Sequence, residues 1–444
     1  MKHENLETDV IVVGGGASGL MAAGRAAALG ARVVLLEKTD GIGKKILISG
    51  KTRCNLTNSA DLKDFIVMYG QNGRFLYGVF SRFFRPELLA FFEEFGLETK
   101  IERGGRIFPV SDDARDVLRV FKKYLAAGRV STVCNASVTS AGADDDGFFV
   151  QTQTEKYRAR LLIIATGGAS WPATGSTGDG YRIAASFGHT LVALRPALVP
   201  LVVREQKLAQ AMQGVSLRHV RATAFQGEAD KMDAALTPAC DYGRGEKKNP
   251  RPPVIESRFG EMLFTHFGLG GPIVLLMSLA VAQALERGPV CILIDLKPAV
   301  TPEQLRKRLL TDLNAAGKRK ISTILKAYLP AKMIDPVMGL AAMDPEKPAH
   351  QVTAEEREKI LENLKALRFN IRAPLSLEKA IVTAGGVTLD EIDPKTMASK
   401  KVPGLFFCGE VLDIDADTGG YNLQAAFSTG WAAGEAAAHL AQKV

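Results

Sequence analysis

The stretch DVIVVGGGASG, residues 9–19, decides the fold, because it joins a short apolar run to glycines spaced as GxGxxG. The β-branched run Asp9–Val13 predicts a buried parallel strand, and the Ala-rich stretch Ala17–Leu29 predicts the helix after it. A second apolar run, Arg32–Glu37, completes a strand–helix–strand unit. The N-terminus of such a helix carries free N–H groups and a partial positive charge, which predicts a phosphate site there.

The glycines of this turn have different predicted roles. Gly14 permits the tight turn, Gly16 lets the backbone approach a pyrophosphate, and Gly19 lets the helix pack on the strand. Glu37 ends the second strand, where a carboxylate accepts hydrogen bonds from ribose hydroxyls. The unit therefore predicts binding of the ADP half of FAD or NAD, and a glycine-rich turn in an ordinary α/β sheet is the structural alternative.

Two further motifs favour FAD over NAD. The apolar strand Leu161–Ala165 ends in a turn at Thr166 and Gly167, as in two-dinucleotide flavoproteins, where such a strand returns beside the first unit. Residues 404–410, GLFFCGE, form an apolar strand that ends in glycine and a carboxylate, Glu410. This segment is similar to the flavoprotein segment whose acid binds the ribityl chain. An NAD-binding Rossmann dehydrogenase needs neither motif.

The C-terminal run DIDADTGGYNLQAAF, residues 413–427, predicts a close backbone approach at its two glycines, followed by a helix that starts at Asn422 or Leu423. The N–H groups of that helix would stabilise negative charge on the N1–C2=O edge of a reduced flavin. Tyr421 is the best candidate for a proton donor, and a packing role is the alternative. No other acid, base or nucleophile stands out, so the catalytic residues are unknown.

A basic loop, residues 41–58 (GIGKKILISGKTRCNLTN), follows Glu37 directly. Its position predicts that cations such as Lys45 and Arg53 face the pyrophosphate, and a solvated basic loop is the alternative. Cys54 invites a redox role, but no second cysteine lies nearby in the sequence, which favours a small residue packed near the flavin.

Composition excludes several classes of protein. The 444 residues are 46% hydrophobic and 23% charged, which is typical of a soluble globular protein. The net charge of +8 favours anionic ligands, but no nucleic-acid module accompanies it, so nucleic acid is an unlikely partner. The 5 cysteines and 6 histidines show no metal-ligand spacing, and we expect no metal site. The longest apolar runs, such as Ile273–Ala282, are too short to span a membrane, and the polar start MKHENLETD is no signal peptide, which predicts a cytoplasmic protein.

The pattern of apolar and polar residues changes at two points along the chain. Short alternating segments from about Leu191 predict β structure, and residues 301–372 read as helical, with capping boxes that start at Thr301 and Thr353. The glycine-rich texture returns after Pro374. We therefore predict an α/β protein with an FAD-binding domain in two parts, 1–192 and 374–444, an inserted β-rich subdomain, 193–300, and an inserted helical subdomain, 301–373. Residues 38–58 and the basic, Pro-rich stretch Asp241–Arg258 are predicted to be loops.

Five segments together resemble one family: GGGASGLMAA, GKKILISGKTRCNLTN, ATGG, GEMLFTHFGLGGP and the block from VTAGGV to GWAAG. The chain resembles, over nearly its whole length, the BaiN-like bacterial flavoproteins, which include enzymes described as aminoacetone oxidases and as 3-dehydro-bile-acid reductases. The resemblance implies a Rossmann-like FAD domain of the two-dinucleotide-binding type with inserted β-rich and helical subdomains. It implies FAD contacts at Gly14, Gly16, Ala17, Ser18, Gly19, Glu37, Lys38, Lys45, Arg53, Cys54, Asn55, Thr166, Gly167, Gly409, Glu410, Asn422, Leu423, Gln424 and Ala425, and a backbone contact of Val138 with adenine.

The predicted function is that of an FAD-dependent oxidoreductase that transfers hydride between the flavin and a small organic substrate. The FAD is expected to be non-covalent, because no His, Cys or Tyr is clearly placed for a flavin bond. No second GxGxxG unit follows Gly168, so NAD(P)H would bind only transiently, as a co-substrate. Two alternatives stay open: an FAD-dependent RNA-modifying protein, and a flavin-binding sensor without turnover. The sequence indicates no oligomeric state.

Overall fold

The computed structural model describes residues 8–232 and 253–443. The strands are β1 (Thr8–Val13), β2 (Val33–Leu36), β3 (Thr57–Asn58), β4 (Thr99–Ile101), β5 (Arg106–Pro109), β6 (Ser131–Val133), β7 (Val138–Asp144), β8 (Gly147–Thr152), β9 (Lys156–Ile164), β10 (Leu191–Ala197), β11 (Leu201–Val203), β12 (Ser216–Gln226), β13 (Val254–Phe264), β14 (Gly268–Gly270), β15 (Val290–Asp295), β16 (Leu367–Pro374), β17 (Val382–Val387) and β18 (Leu405–Phe407). The α-helices are α1 (Ala17–Ala28), α2 (Lys44–Ile48), α3 (Leu62–Val67), α4 (Tyr77–Phe80), α5 (Arg85–Glu94), α6 (Ala114–Ala127), α7 (Asp179–Ser186), α8 (Gln206–Ala211), α9 (Pro272–Leu285), α10 (Pro302–Ala316), α11 (Ile321–Leu325), α12 (Ala331–Leu340), α13 (Ala354–Lys365) and α14 (Tyr421–Ala441).

The chain forms two compact units. The first comprises the residues up to Arg195 and those from Leu377 onward, and the second runs from Pro196 to Ser376. An insertion that interrupts one domain explains why the glycine-rich texture of the N-terminal part returns near the C-terminus. The finer division of the insert at residue 300 stays a prediction.

The first unit is built on a sheet with the order β6-β2-β1-β9-β8-β7, and β18 also pairs with β9. β1, β2, β6, β9 and β18 pair in parallel, with Val12 of β1 opposite both Leu35 and Ile163. These three residues are completely buried, as expected for a parallel sheet covered on both faces. The predicted return of the ATGG strand beside the first unit is confirmed, and so is the Rossmann-type α/β fold.

Helix α14 packs directly on α1, and small residues make this approach possible. A Cβ atom added to Gly430 would lie 2.3 Å from the carbonyl oxygen of Ser18, and one added to Gly434 would lie 2.3 Å from that of Ala22. Glycine at these two positions therefore lets the backbones of the two helices come close together. The contact joins the C-terminal helix of the chain to the helix that follows the glycine turn.

The second unit contains a closed barrel with the strand order β11-β14-β13-β12-β15-β16. One hydrophobic core includes Ile292 on β15 of the barrel and Leu309 on α10, so the strands and the helices of this unit share their buried residues. Both predicted capping boxes are present, because Thr301 accepts from the N–H of Gln304 and Thr353 from that of Glu356.

Three predictions about local structure are wrong. Residues 38–58 are not all loop, because Ile46 is buried and anchors α2, while Thr57 and Asn58 pair with β5. The helical reading of residues 301–372 fails at its end, where β16 closes the barrel. The predicted loop Asp241–Arg258 ends earlier, because β13 begins at Val254 and pairs with β12, and residues 241–252 lie outside the described residues.

Among residues 8–232 and 253–443, no helix is both long and apolar enough to cross a membrane. The same residues contain no group of three or more His, Cys, Asp or Glu side chains that could hold a metal ion.

Candidate cofactor site

The glycine turn between β1 and α1 forms an open cradle at a helix N-terminus. A Cβ atom on Gly14 would lie 2.5 Å from the carbonyl oxygen of Ala165, and one on Gly19 would lie 1.8 Å from that of Gly14. A Cβ atom on Gly16 would meet no atom within 4 Å, and no side chain caps α1. Two glycines of the motif thus serve close backbone packing, whereas Gly16 borders open space at the positive end of the helix, which fits a pyrophosphate.

Glu37 lies at the end of β2 with its carboxylate directed back at the glycine turn. Its Oε2 accepts from the N–H of Gly15 at 2.8 Å, and its Oε1 accepts from the N–H and the hydroxyl of Thr39, both at 2.8 Å. The side chain is therefore held in place before any ligand binds. Among the described residues, Oε2 accepts only the bond from Gly15 and has a further lone pair, so the carboxylate can still accept from a ribose hydroxyl.

Val138 begins β7 close to this carboxylate end of β2. The N–H of Ala136, two residues earlier, donates to the carbonyl oxygen of Glu37 at 2.9 Å. Val138 itself is buried. The geometry brings Val138 to the region predicted for the adenosine, and its contact with adenine stays a prediction.

Lys45 and Glu410 form the centre of a polar cluster. The sequence predicted each of the two residues as a cofactor contact but did not predict that they bind each other. The Nζ of Lys45 donates to Glu410 Oε2 at 2.7 Å and to the hydroxyl of Ser170 at 2.8 Å. The other carboxylate oxygen, Oε1, accepts from the N–H of Thr383 at 2.8 Å and from Ser170 at 3.1 Å. The cluster joins α2, the segment after the ATGG turn, β17 and the end of β18 within the first unit.

Other cations of the predicted basic loop are paired with carboxylates. The guanidinium of Arg53 binds Glu102 through two bonds, also contacts Asp112, and lies 4.0 Å from the ring centre of Phe108. Lys44 pairs with Asp40. The guanidinium of Arg53 is thus paired with acids of the same unit, and its predicted contact with FAD stays a prediction.

Lys38, which follows Glu37, is hydrogen-bonded to residues at the start of α7. Its Nζ donates to Asp179 at 2.7 Å and to the hydroxyl of Thr177 at 2.5 Å. Thr166 and Gly167 lie nearby in the fold, because a Cβ on Gly180 of α7 would meet the hydroxyl of Thr166 at 2.0 Å. Lys38 thus fastens the start of α7 beside the ATGG turn.

Cys54 is a packed core residue. It is completely buried, and its N–H donates to the carbonyl oxygen of Ser49 at 3.0 Å. Burial raises the pKa of its thiol to about 12, so the thiol stays protonated at neutral pH and is a poor nucleophile. This geometry favours the packing interpretation over the redox one.

Three buried polar atoms that lack a hydrogen-bond partner in the described part of the chain lie on the segments around β3 and the start of α14. A Cβ on Gly420 would lie 2.3 Å from the carbonyl oxygen of Thr57, so the two segments are in direct contact. Among the described residues, the buried atoms Oδ1 of Asn55, Oγ1 of Thr57 and Oε1 of Gln424 have no hydrogen-bond partner. Unsatisfied buried polar atoms cost about 1–3 kcal/mol each, which indicates that a ligand with complementary groups belongs beside them.

The loop before α14 is tied to the first turn of that helix. The side-chain Oδ1 of Asn422 accepts from the N–H of Ala416 at 3.0 Å, and its Nδ2 donates to the carbonyl oxygen of Ala416 at 2.8 Å. The helix begins at Tyr421, one residue before the predicted start. Asn422 therefore shapes the loop with its side chain and leaves only its backbone for the predicted cofactor contact.

Asp415 lies in this loop and is a titratable group that sequence reasoning passed over. Burial, together with the nearby carboxylates of Asp413 and Asp417, raises its pKa to about 7. Its side chain forms no hydrogen bond or ion pair with the described part of the chain. A carboxyl group of this kind is partly protonated at neutral pH and can give up a proton.

Tyr421 packs in an aromatic cluster. Its ring centre lies 4.6 Å from that of Phe65 in an edge-on arrangement, and its carbonyl oxygen accepts from the hydroxyl of Tyr69 at 2.7 Å. Tyr421 is buried, and burial raises the pKa of its hydroxyl. The geometry favours a packing role over the role of proton donor.

The remaining predicted residues lie along the contact between α1 and the end of β18. The N–H of Gly409 donates to the hydroxyl of Thr429 at 3.0 Å, and a Cβ on Gly409 would lie 2.3 Å from the hydroxyl of Ser18. Ala425 is buried in the first turn of α14, next to the half-buried Leu423. The glycine cradle, Gly409 and α14 thus come together in one unit.

The residues of this site fit a flavin dinucleotide. The open helix N-terminus fits the pyrophosphate, Glu37 fits a ribose, and the unpartnered Thr57 and Gln424 atoms fit the polar edge of the flavin ring. Thr57 and Thr383 lie in segments that carry the family resemblance but were not predicted as site residues, and Ser170 lies outside those segments. Only the position of Ser170, three residues after Gly167, hinted at a role.

The fold and the site define a Rossmann-fold flavoprotein, an FAD-dependent oxidoreductase. The chain belongs to the HI0933-like Rossmann-domain family, whose model matches residues 8–436. The chain is 34% identical over 430 residues to the 3-dehydro-bile acid delta(4,6)-reductase of Clostridium scindens, covering 96% of this chain and 98% of that one.

Two further similarities are more distant. The ribosomal RNA dihydrouridine synthase of Escherichia coli is 28% identical over 426 residues, which cover 96% of each chain. The solved structure of 3-ketosteroid delta1-dehydrogenase from Sterolibacterium denitrificans is similar with a TM-score of 0.49 and 14% identity, covering 98% of this chain and 100% of that one. The family assignment rests on the sequence matches.

Proposed function

We propose that this enzyme reduces a carbon–carbon double bond conjugated to a carbonyl group in a small organic substrate, with NAD(P)H as a transient reductant. Two relatives support this class of reaction, because their names describe a 3-dehydro-bile acid delta(4,6)-reductase and a dihydrouridine synthase. Both names describe the addition of two hydrogens across a double bond that is conjugated to a carbonyl group. We assign this shared type of reaction to the present chain and do not specify which molecule contains the double bond.

The observation that carries the proposal is the pair of buried oxygens of Thr57 and Gln424 that have no hydrogen-bond partner among the described residues, where β3 contacts the start of α14. We propose that these atoms and the N–H groups of the first turn of α14 hold the polar edge of the flavin. The helix N-terminus would favour negative charge at that edge, which lowers the free energy of the reduced cofactor. When bound, the flavin supplies the hydride, and the protein supplies position and electrostatics.

The reaction also needs a proton for the carbon next to the carbonyl group. We propose that Asp415 holds this proton on its carboxyl group, because its raised pKa of about 7 leaves it partly protonated at neutral pH. The aromatic packing of Tyr421 on Phe65 supports a structural role for that residue instead.

The remaining predicted contacts form a binding frame. The α1 N-terminus with Gly16, Ala17 and Ser18 would bind the pyrophosphate, and Glu37 would bind a ribose of a non-covalently held FAD. Glu410 is already bonded to Lys45, Ser170 and the N–H of Thr383, so it would contact the ribityl chain through remaining lone pairs.

A second candidate substrate is a uracil base within RNA, which undergoes the same type of reduction. The net charge of +8 and the name of the Escherichia coli relative, a ribosomal RNA dihydrouridine synthase, favour it. A flavin sensor without turnover is the further alternative, and it differs in one measurable property, because a substrate would not accelerate the reoxidation of its flavin.

The test is anaerobic turnover of the purified holoenzyme with NADH or NADPH and a conjugated cyclic enone, analysed by mass spectrometry. The proposal predicts a product that is heavier by two hydrogens. The matching saturated ketone is the control and should be recovered unchanged. Recovery of the enone unchanged with both nucleotides, while the nucleotides do reduce the flavin, would refute alkene reduction.

A further inference from the structure

The outer face of the barrel in the second unit carries an aromatic ring that faces solvent. Phe259 on β13 is 54% exposed. Its partner in the antiparallel register is Arg221 on β12. The exposed ring therefore has a cation directly beside it, in a position set by the strand pairing.

Three neighbours surround this ring. The guanidinium carbon of Arg221 lies 6.0 Å from the ring centre of Phe259, within cation–π range. The ring of His219 lies 6.2 Å away between centres, with a 28° angle between the two planes. Arg218 precedes His219 on the same strand and is exposed. We call Arg218, His219, Arg221 and Phe259 the barrel platform.

The strand pairing explains why these side chains meet. The register between β12 and β13 shifts between Leu217 and Val220, which places an extra residue of β12 next to the platform. Val220 and Ala222 point into the buried core of the second unit. Arg221 therefore points outward, on the same face as Phe259, because side chains alternate along a strand.

The platform is positively charged, and its two arginines are not neutralised by ion pairs within the described residues. Within the described residues, neither Arg218 nor Arg221 forms a hydrogen bond or an ion pair, and the Nε of Arg221 is buried without a partner. The nearby carboxylates of Glu256 and Asp295 are engaged by Arg258 and Lys365. Glu261 is the exposed acid on β13 close to the platform. The two arginines outweigh this single negative charge.

We propose that the barrel platform binds single-stranded nucleic acid, with a base stacked on Phe259 and the neighbouring phosphates at Arg218 and Arg221. A flat ring stacks with any base, and arginines bind phosphate oxygens with geometry that suits them. An apolar peptide would need a continuous apolar patch, whereas this ring is bordered by cations and an imidazole. The proposal goes beyond the reaction above, because binding is measured without turnover.

The test measures binding of a fluorescein-labelled single-stranded U12 RNA to the holoenzyme by fluorescence anisotropy at several salt concentrations. Phe259→Ala should weaken binding roughly 5- to 100-fold, the range expected for loss of one stacked base, and Phe259→Trp should retain it. Arg221→Ala should weaken binding and lower the slope of log affinity against log salt by about 0.7.

Two matched variants control for general effects. Tyr77→Ala removes a 45% exposed ring in the first unit, and Lys123→Ala removes an exposed cation on α6, and both should bind the RNA like wild type. Heparin, a polyanion without bases, should bind Phe259→Ala and wild type equally. Equal RNA affinity of wild type and Phe259→Ala, or an equal loss in Tyr77→Ala, overturns the proposal. Flavin reoxidation by a small enone is measured separately, so a failed platform leaves the proposed reaction standing.

Discussion

The Nζ of Lys45 lies 2.7 Å from Oε2 of Glu410, although 365 residues separate the two in the chain. Lys45 lies on α2, the short helix after β2, and Glu410 lies three residues after the end of β18. Ser170 and the N–H of Thr383 complete the cluster. The pair therefore joins the two parts of the first unit, the part that precedes the insert in the chain and the part that follows it.

Lys45→Met should lower the free energy of unfolding by about 1–2 kcal/mol, because it strips Glu410 of its cation in a site where the two side chains are 29% and 19% exposed. Urea denaturation measures the change. Lys44→Met is the matched control one residue earlier on the same helix. Its partner Asp40 is 76% exposed, so the loss of stability should be clearly smaller than in Lys45→Met. Equal losses in the two variants would contradict the structural role of the Lys45–Glu410 pair.

Gly16→Ala should fold normally and lose affinity for FAD. Its Cβ would meet no protein atom within 4 Å, so only a ligand in the cradle can oppose it. We expect at least roughly tenfold weaker FAD binding, about 1.4 kcal/mol, with an unchanged melting temperature of the apoprotein. Isothermal titration calorimetry with FAD and thermal melting provide the two measurements.

Gly19→Ala is the comparison for this variant. Its Cβ would lie 1.8 Å from the carbonyl oxygen of Gly14, so the fold itself should be destabilised. If Gly16→Ala bound FAD as tightly as wild type, the pyrophosphate would have to lie elsewhere.

The sequence predicted the frame of the FAD-binding unit well. The sequence contains three local patterns, GxGxxG, the ATGG strand and GLFFCGE. In each, apolar residues followed by glycine predict a strand that ends at a turn. The parallel pairing of β9 with β1 and of β18 with β9 follows from these patterns. The packing of Gly430 on α1 follows a similar rule, because two helices can approach closely only where the residues between them are small.

The polar partners within the site were not predictable. Arg53 is bound by Glu102 and Asp112, and these acids come from a three-stranded sheet that no motif announced. The raised pKa of Asp415 depends on burial and on neighbouring carboxylates, and a sequence reports neither. The platform at Phe259 arises from pairing of β12 with β13, where part of the strand was predicted as loop. Long-range contacts decide all three.

Asp415→Asn should be more stable than wild type at pH 8 and similar at pH 4. The pKa of Asp415 is about 7 in the folded protein and 3.8 in its ordinary state, so the folded protein retains a proton that the unfolded chain releases in this window. The carboxylate therefore costs stability as the pH rises from about 4 to 7, at ~1.4 kcal/mol per pKa unit as an upper guide. Urea denaturation at both pH values measures the difference.

The same variant tests the proton source. Wild-type reduction of the enone should slow above pH 7, as Asp415 loses its proton, and Asp415→Asn should be slow and nearly independent of pH in that range. Asp335→Asn, an exposed change on α12, should keep the wild-type profile. A wild-type pH profile in Asp415→Asn would remove this residue from the reaction.

Nicotinamide nucleotides should bind weakly and with little preference between NADH and NADPH. The sequence has no second GxGxxG unit, and the glycines of residues 267–272 lie in and just after β14, an antiparallel strand of the barrel, rather than in a parallel strand–helix–strand unit. Rapid-reaction measurement of flavin bleaching against nucleotide concentration checks this expectation. Saturation in the low micromolar range, with strong preference for one nucleotide, would show that a dedicated site exists.

The most direct measurement mixes the anaerobically reduced holoenzyme with a conjugated enone and follows the flavin absorbance in a stopped-flow instrument. We expect the enone to reoxidise the flavin completely, with one product molecule formed per flavin and heavier than the enone by two hydrogens. The saturated ketone should leave the flavin reduced. Reduced flavin that persists equally with the enone and with the saturated ketone would contradict the assignment of this chain as an alkene reductase.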